Sequence, residues 1–450
     1  MKNITIVGAG LVGSLLSIYL AKRGHKVSVY ERRPDMRTAN ISAGRSINLA
    51  LSDRGWRGLE RAGLAKEIEK IIIPMPGRMM HATDGTLTFQ PYGKEGQAIN
   101  SVSRGLLNKT LMSAAEQHPN VTYHFNQRAL DCDLAATTMT FENTETGEQS
   151  VVQSDIIFAA DGAFSVVRNK IQHTDRCNYS QEYLEHAYKE LVIPPGPNGE
   201  FMIEKNALHI WARKSFMMIA LPNTDATYTC TLFLPYKSTP DVPGFDQLNT
   251  EQDVLNFFNT HFPDAVPLMP TLLEDFFSNP TSSLATVRTY PWVRGNVALI
   301  GDAAHAICPF FGQGMICGFE DCVVLDECLE RNGDNWEAAL DEYQQLRKPS
   351  GDAIAQLALD NFIEMRDKVA DPQFLLRKKI EAEMHKRFPE LYTPLYTLVV
   401  FTPDVTYADA YRRGKENDAL MEKILALPDI ANTWNTDAAM NTIKEMLQAR

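Results

Sequence analysis

The stretch Gly8-Ala9-Gly10-Leu11-Val12-Gly13 constrains this chain more than any other feature. It stands between the apolar run Ile4-Thr5-Ile6-Val7, which suits a strand buried on both faces, and a helix-patterned segment from Leu11 to Lys22. A second strand, Lys26 to Tyr30, ends at Glu31, so roughly 30 residues make one βαβ unit. In that setting the first glycine permits the tight turn, the second lets a pyrophosphate approach the backbone, and the third lets helix and strand pack closely. The unpaired N–H groups at the helix start attract the phosphates, and Glu31 is placed to accept hydrogen bonds from a ribose. An acid there suits the ribose of NAD and the adenosine ribose of FAD equally, so the unit predicts a dinucleotide without choosing which.

Two later segments narrow the choice. Asp155-Ile-Ile-Phe-Ala-Ala160 is another buried strand, followed by Asp161-Gly162, Ser165 and Arg168. Asn296-Val-Ala-Leu-Ile300 runs into Gly301-Asp302-Ala303-Ala304-His305, then Pro309-Phe310 and Gly312-Gln313-Gly314-Met315, where a helical pattern begins. An acid and a second glycine-rich helix start, both far from the first, suit a long extended cofactor. The first unit holds adenosine and pyrophosphate, Asp302 reaches the ribityl chain, and the second helix start faces an isoalloxazine whose reduced anion its dipole stabilises. His305 reads as a loop-satisfying residue rather than a base.

At 450 residues the chain has room for two or three domains. The pattern predicts an α/β fold: a Rossmann-like FAD-binding domain, an inserted mostly antiparallel β-sheet substrate domain, and a helical C-terminal domain. The expected bounds are 1–75, 97–176 and 284–349 for the first, 76–96 and 177–283 for the second, and 350–450 for the third. A formal charge of −12 gives no global reason to bind nucleic acid or an anionic membrane. The seven cysteines match neither a zinc ribbon nor a CxxC pair and read as reduced core thiols, with no metal site implied. Ile4 to Ala21 is uncharged, but its glycines argue against a spanning helix or a signal peptide, so a cytoplasmic location without a membrane anchor is expected.

Jointly, the three motifs resemble the class A flavoprotein monooxygenases. The strings Glu31-Arg32-Arg33-Pro34-Asp35, Gly44-Arg45-Ser46-Ile47-Asn48-Leu49-Ala50-Leu51, Gly77-Arg78-Met79, Gln90-Pro91-Tyr92-Gly93, Asn206-Ala207-Leu208-His209-Ile210-Trp211 and Ala220-Leu221-Pro222-Asn223 resemble the branch that hydroxylates kynurenine. The resemblance implies tightly but non-covalently held FAD, with NADPH as co-substrate docking transiently on the FAD domain. It implies conversion of L-kynurenine to 3-hydroxy-L-kynurenine by O₂ through a C4a-hydroperoxyflavin, a step of tryptophan degradation leading toward NAD biosynthesis. The flavin carries the chemistry, so no side chain is assigned as catalytic and no metal is needed. Eukaryotic relatives carry a C-terminal membrane anchor, which this sequence is expected to lack. Alternatives stay open: a hydroxylase of another aromatic acid, an FAD-dependent reductase that inserts no oxygen, or a flavin-binding regulator.

The site residues follow from the resemblance. Arg78 with Tyr92, assisted by Asn361, matches the grip on the substrate carboxylate. Leu208, Met217, Leu221, Phe233, Pro309 and Phe310 match positions that enclose the aromatic ring, and Glu364, Met365 and Tyr396 match positions that close the pocket. For FAD the matching positions are Gly8, Gly10, Gly13, Glu31 and Arg32 at the adenosine end, Ala50 and Arg104 toward the middle and ring, and Asp302 and Met315 near ribityl and flavin. Where the family commonly continues GQGM with Asn, this chain has Ile316, which leaves hydrogen bonding at the flavin edge to backbone donors.

Overall fold

The computed structural model describes residues 1–38, 48–93, 96–367 and 372–450, with only the backbone of 365–367. Its first layer is a six-stranded sheet in the order Val293–Arg294, Val297–Leu299, Ile156–Ala159, Asn3–Val7, Lys26–Tyr30, Val121–His124, parallel except for the first pair. The apolar runs form its centre because both faces are covered. On one side lies the helix Leu11–Lys22, with ten of its twelve residues buried, which marks it as enclosed rather than amphipathic. On the other side a small antiparallel sheet of Gln127–Asp133, Thr138–Asn143 and Gln149–Gln153 packs through Cys132, Met139 and Phe141. Phe141 stacks on Tyr30 with ring centres 4.1 Å apart. That small sheet has no counterpart in the sequence reading.

A second layer is a seven-stranded sheet, antiparallel but for one pair. Its order is Ser282–Tyr290, Asn178–Ile193, Tyr228–Pro235, Phe216–Pro222, Leu208–Arg213, Gly77–His81, Leu87–Pro91. The two segments from 76–96 therefore join the later insertion in one sheet, through the parallel pairing of Arg78 with Leu208. One face of this sheet is closed by the helices Glu251–His261 and Leu272–Ser278 over Trp211, Met218, Cys230 and Leu232. The opposite face carries the site.

Two expected boundaries fall inside elements. The strand Ser282–Tyr290 spans 283/284 and belongs to the large sheet by its pairing with Asn178–Ile193. The helix Trp336–Asp367 runs through Pro349 and so through 349/350. A proline inside a helix costs roughly 3 kcal/mol, but here Tyr343, Arg347, Ser350 and Ile354 are all buried around it, and that packing offsets the lost bond. Of the helices that follow, Pro372–Arg387, Tyr407–Leu425, Ile430–Thr433 and Asp437–Gln448 share one small core of their own, and Leu395–Val400 packs against Tyr407–Leu425. Leu398 to Phe401 and Tyr407 pack instead with Leu221, Phe311 and Ala50, which brings these helices over the junction of the two sheets. Among the described residues no helix is long and apolar enough to cross a membrane.

Candidate active site

The glycine turn is as tight as its spacing implies. Gly8 has φ of +100°, and a Cβ there would lie 2.6 Å from the Ala160 carbonyl oxygen. A Cβ on Gly13 would lie 2.1 Å from the Gly8 carbonyl oxygen, whereas one on Gly10 would meet nothing within 4 Å. Gly10 therefore opens onto free space at the start of Leu11–Lys22, where anions are favoured. The buried Glu31 closes the turn by accepting from the Ala9 N–H at 3.0 Å, and its other oxygen accepts from the Arg33 N–H at 3.0 Å and Nε at 2.7 Å. Burial works against its charge, but the bonds and charge of Arg33 and the Ala9 N–H hold the carboxyl below the usual range. Arg32 beside it is exposed.

The other two motifs converge on this turn. A Cβ on Gly301 or on Gly318 would run into Val12, at 3.1 and 2.5 Å. Arg168 links the Asp161-Gly162 and Asp302 loops, donating from Nη1 to the Ala303 carbonyl at 3.0 Å and from Nη2 to that of Ala163 at 2.5 Å. Asp161 Oδ2 accepts from the Val166 N–H at 2.8 Å, while its Oδ1 is buried without a partner. Burial raises this carboxyl above the ordinary value. Asp302 is exposed, Met315 is half-buried on the first turn of Gly314–Asn332, and Ala50 sits 3.7 Å from where a Gly312 Cβ would be. Arg104 is exposed at the start of Arg104–Glu116, which Ser103 caps.

Asn108, on that same helix, was missed by the sequence reading. Its Nδ2 donates to the Ala9 carbonyl at 3.0 Å, and its Oδ1 is a second buried acceptor without a partner beside the glycine turn. No motif marks a lone helical Asn. An open glycine cradle with orphaned acceptors at its rim, an acid at the end of the second strand and a second helix start in reach fit a bound FAD.

Ile316 is fully buried, its Cδ1 2.4 Å from where a Gly55 Cβ would lie. The side chain fills the core beneath the helix start, so the departure from Asn is absorbed by packing. His305 is also buried, with Nε2 2.5 Å from Asp321 Oδ2. His305, Cys317 and Asp321 bring their ligand atoms within 4.8 Å of one another. Arg347 donates to Asp321 Oδ1 at 2.7 Å and to Cys317 Sγ at 3.2 Å, so a cation already balances this group.

Across the junction, Arg78 projects from the strand Gly77–His81 against two stacked phenols. Its Cζ lies 5.1 Å from the Tyr92 ring centre and 5.0 Å from that of Tyr396, and the two rings stack at 5.5 Å and 9°. Arg78 Nε and Tyr92 OH are buried without hydrogen-bond partners. Burial pushes both phenols above their ordinary value, so they stay protonated and able to donate. Two cavities meet at Arg78. One of about 330 Å³ takes in Met217, Phe233, Asn361, Phe362 and Glu364, and the other, of about 970 Å³, takes in Tyr92, Asn361, Glu364 and Tyr396.

Not every expected residue lines these spaces. Phe310 packs with Phe233 at 5.1 Å and Phe362 at 4.4 Å in a cluster that includes Met217, while Leu208 and Leu221 pack in the neighbouring cluster with Tyr92 and Tyr396. Pro309 opens the short turn that carries Phe310. Asn361 Nδ2 donates to the Phe310 carbonyl at 2.7 Å, tying the helix Trp336–Asp367 to that turn. Glu364 pairs with Lys378 at 3.2 Å. The Met365 side chain and residues 44–47 lie outside the described residues.

This combination of a parallel Rossmann-like sheet, an inserted antiparallel sheet and a helical C-terminal region, with a buried arginine at their junction, defines the architecture of the class A flavin-dependent hydroxylases. The family described as FAD binding domain matches residues 1–358. Among solved structures, the tetrameric form of 2-methyl-3-hydroxypyridine-5-carboxylic acid oxygenase superposes with a TM-score of 0.66 at 22% identity, over 83% of this chain and 94% of that one. Pseudomonas aeruginosa PqsL gives 0.63 at 19%, over 81% and 97%. Closer in sequence are kynurenine 3-monooxygenases: that of Flavobacterium johnsoniae is 46% identical over 99% of both chains, and that of Dictyostelium discoideum 45% over 98% of this chain and 96% of its own. The one from Myxococcus xanthus is 48% identical over 94% and 90%. The chain belongs to the kynurenine 3-monooxygenase family.

Proposed function

We propose that this protein hydroxylates L-kynurenine at ring carbon 3, consuming NADPH and O₂, with FAD held across the glycine turn, Glu31 and the Asp302 loop. FAD, when bound, accepts a hydride from NADPH and activates O₂ for transfer of one oxygen atom to an electron-rich ring. The substrate's aniline nitrogen supplies that richness, so the protein's work is binding, orientation and exclusion of water. Gly8, Gly10 and Gly13 admit the pyrophosphate, Glu31 with Arg32 meets the adenosine ribose, and Asp302 meets the ribityl chain. Ala50, Arg104 and Met315 border the ring.

The observation that carries the reading is the Arg78 guanidinium set against the stacked pair Tyr92 and Tyr396, with Arg78 Nε and Tyr92 OH both unpaired at the edge of an aromatic-lined cavity. A buried donor on a cation beside a buried phenol donor suits a carboxylate, and a guanidinium takes one in two-point fashion. With the carboxylate there, Met217, Phe233 and Phe310 offer apolar surface to an aryl ring, Leu208, Leu221 and Pro309 back that surface, and Asn361 fixes the turn carrying Phe310. Glu364, Met365 and Tyr396 come from the helices that cover the opening. The seven unpaired thiols support a reducing, cytoplasmic setting.

The test is NADPH consumption by FAD-loaded protein in air, with and without L-kynurenine, alongside the mass of the aromatic product. A kynurenine-dependent rate with a product heavier by one oxygen is expected. Equal rates with and without kynurenine, or NADPH loss with unchanged kynurenine, contradict the assignment.

A further inference from the structure

Arg54 is among the most deeply buried side chains of the molecule, and no cofactor or substrate role touches it. Its guanidinium lies 4.3 Å from the Tyr407 ring centre and donates to Glu320 Oε1 at 2.6 Å. The remaining donors go to main-chain carbonyls: Val399 at 3.1 Å, Leu398 at 3.3 Å, Thr402 at 3.0 Å and Val405 at 2.6 Å. Leu398 and Val399 belong to the last turn of Leu395–Val400, where carbonyls have no helical partner and a cation is favoured. That six-residue helix is too short to hold itself, and its second residue is Tyr396. Arg54 is fixed in turn. The second oxygen of Glu320 pairs with Arg347, which binds Asp321 Oδ1, and Asp321 Oδ2 accepts the Gly301 N–H at 3.0 Å.

We propose that Arg54 is a positioning residue for substrate binding: by ending the helix Leu395–Val400 it sets Tyr396 against Arg78 and so shapes the carboxylate grip. It touches neither substrate nor flavin. The inference rests on the reading of Arg78, Tyr92 and Tyr396 as that grip. A guanidinium is required because one group must serve a carboxylate and four carbonyls in a plane, which the point charge of lysine does not do.

The test is titration of FAD-loaded wild type, Arg54→Lys and Glu320→Gln with L-kynurenine and with the corresponding amine lacking the carboxylate, followed by the change in flavin absorbance. Arg54→Lys is expected to weaken kynurenine by about tenfold and the amine by about twofold at most, the scale of coupling between contacting groups. In a Tyr396→Leu background the same substitution should add nothing for kynurenine. Equal weakening of both ligands, unchanged kynurenine affinity, or full additivity with Tyr396→Leu overturns the proposal. Should Arg54→Lys fail to retain FAD, Glu320→Gln preserves shape while removing the anchoring charge and is read by the same selectivity. Wild type that binds the amine as well as kynurenine refutes the carboxylate grip itself, a result separate from equal behaviour of wild type and variants.

Discussion

Replacing Arg78 by Met is the sharpest perturbation of the proposed grip. The side chain is nearly isosteric along its stem, so the sheet register of Arg78 with Leu208 and Gln90 need not change. The loss is of the cation and its two-point geometry, with Tyr92 OH left to meet the carboxylate alone. Truncating one partner of a buried hydrogen-bonded charge pair costs about 2–5 kcal/mol, which corresponds to about 30-fold or more in affinity. Arg78→Lys keeps the charge but not the fork and should fall between the two. The assay is kynurenine titration of FAD-loaded protein by flavin absorbance, repeated with the amine lacking the carboxylate. For that amine Arg78→Met should bind at least as well as wild type, because no anion is present to miss its partner. Loss of both ligands in parallel, or less than about a threefold loss of kynurenine, would refute the reasoning.

Three further outcomes are expected. Gly13→Ala should purify with little or no flavin, since its Cβ would stand 2.1 Å from the Gly8 carbonyl oxygen and must displace the turn; normal flavin content contradicts the cradle. Ile316→Asn should lower the urea midpoint by an amount equivalent to about 2–4 kcal/mol, because an amide replaces a fully buried alkyl group. Unchanged stability with tighter FAD would show instead that this side chain reaches the flavin. Burial pushes the His209 imidazole down to about 4 from 6.5. A depressed folded pKa contributes stability above about pH 6.5 that is lost as pH falls toward about 4, on the order of 3 kcal/mol by linkage. His209→Gln should flatten the fall in urea midpoint between those pH values, and an unaltered slope refutes the assignment.

The cofactor half of the molecule was legible because its elements are local. The helix Leu11–Lys22 and the strand Lys26–Tyr30 fall where period and glycine placement put them, and the strands before Asp161 and Gly301 do likewise. The small sheet of 127–153 was not, since strands such as Gln149–Gln153 are mostly exposed and carry little apolar alternation. The helix through Pro349 contradicts a local rule because distant packing outweighs it. In the site, Arg78 and Tyr92 were named only through family strings. The hairpin of Gly77–His81 with Leu87–Pro91 sets the two side by side, but the sheet that carries them to the site is joined by a pairing across more than a hundred residues, and Tyr396 arrives from the far end of the chain. Asn108 and Arg54 carry no sequence signal at all: each is one polar residue in a helix, given its role by carbonyls it meets only in the folded chain.

The central claim is that oxygen from O₂ enters the kynurenine ring beside the amine. Turnover of FAD-loaded protein with NADPH and L-kynurenine under isotopically heavy O₂ in ordinary water tests it directly. The account predicts 3-hydroxykynurenine carrying one heavy oxygen on the ring, formed one for one with NADPH consumed. Product whose oxygen comes from water, or NADPH oxidation that leaves kynurenine intact, contradicts it.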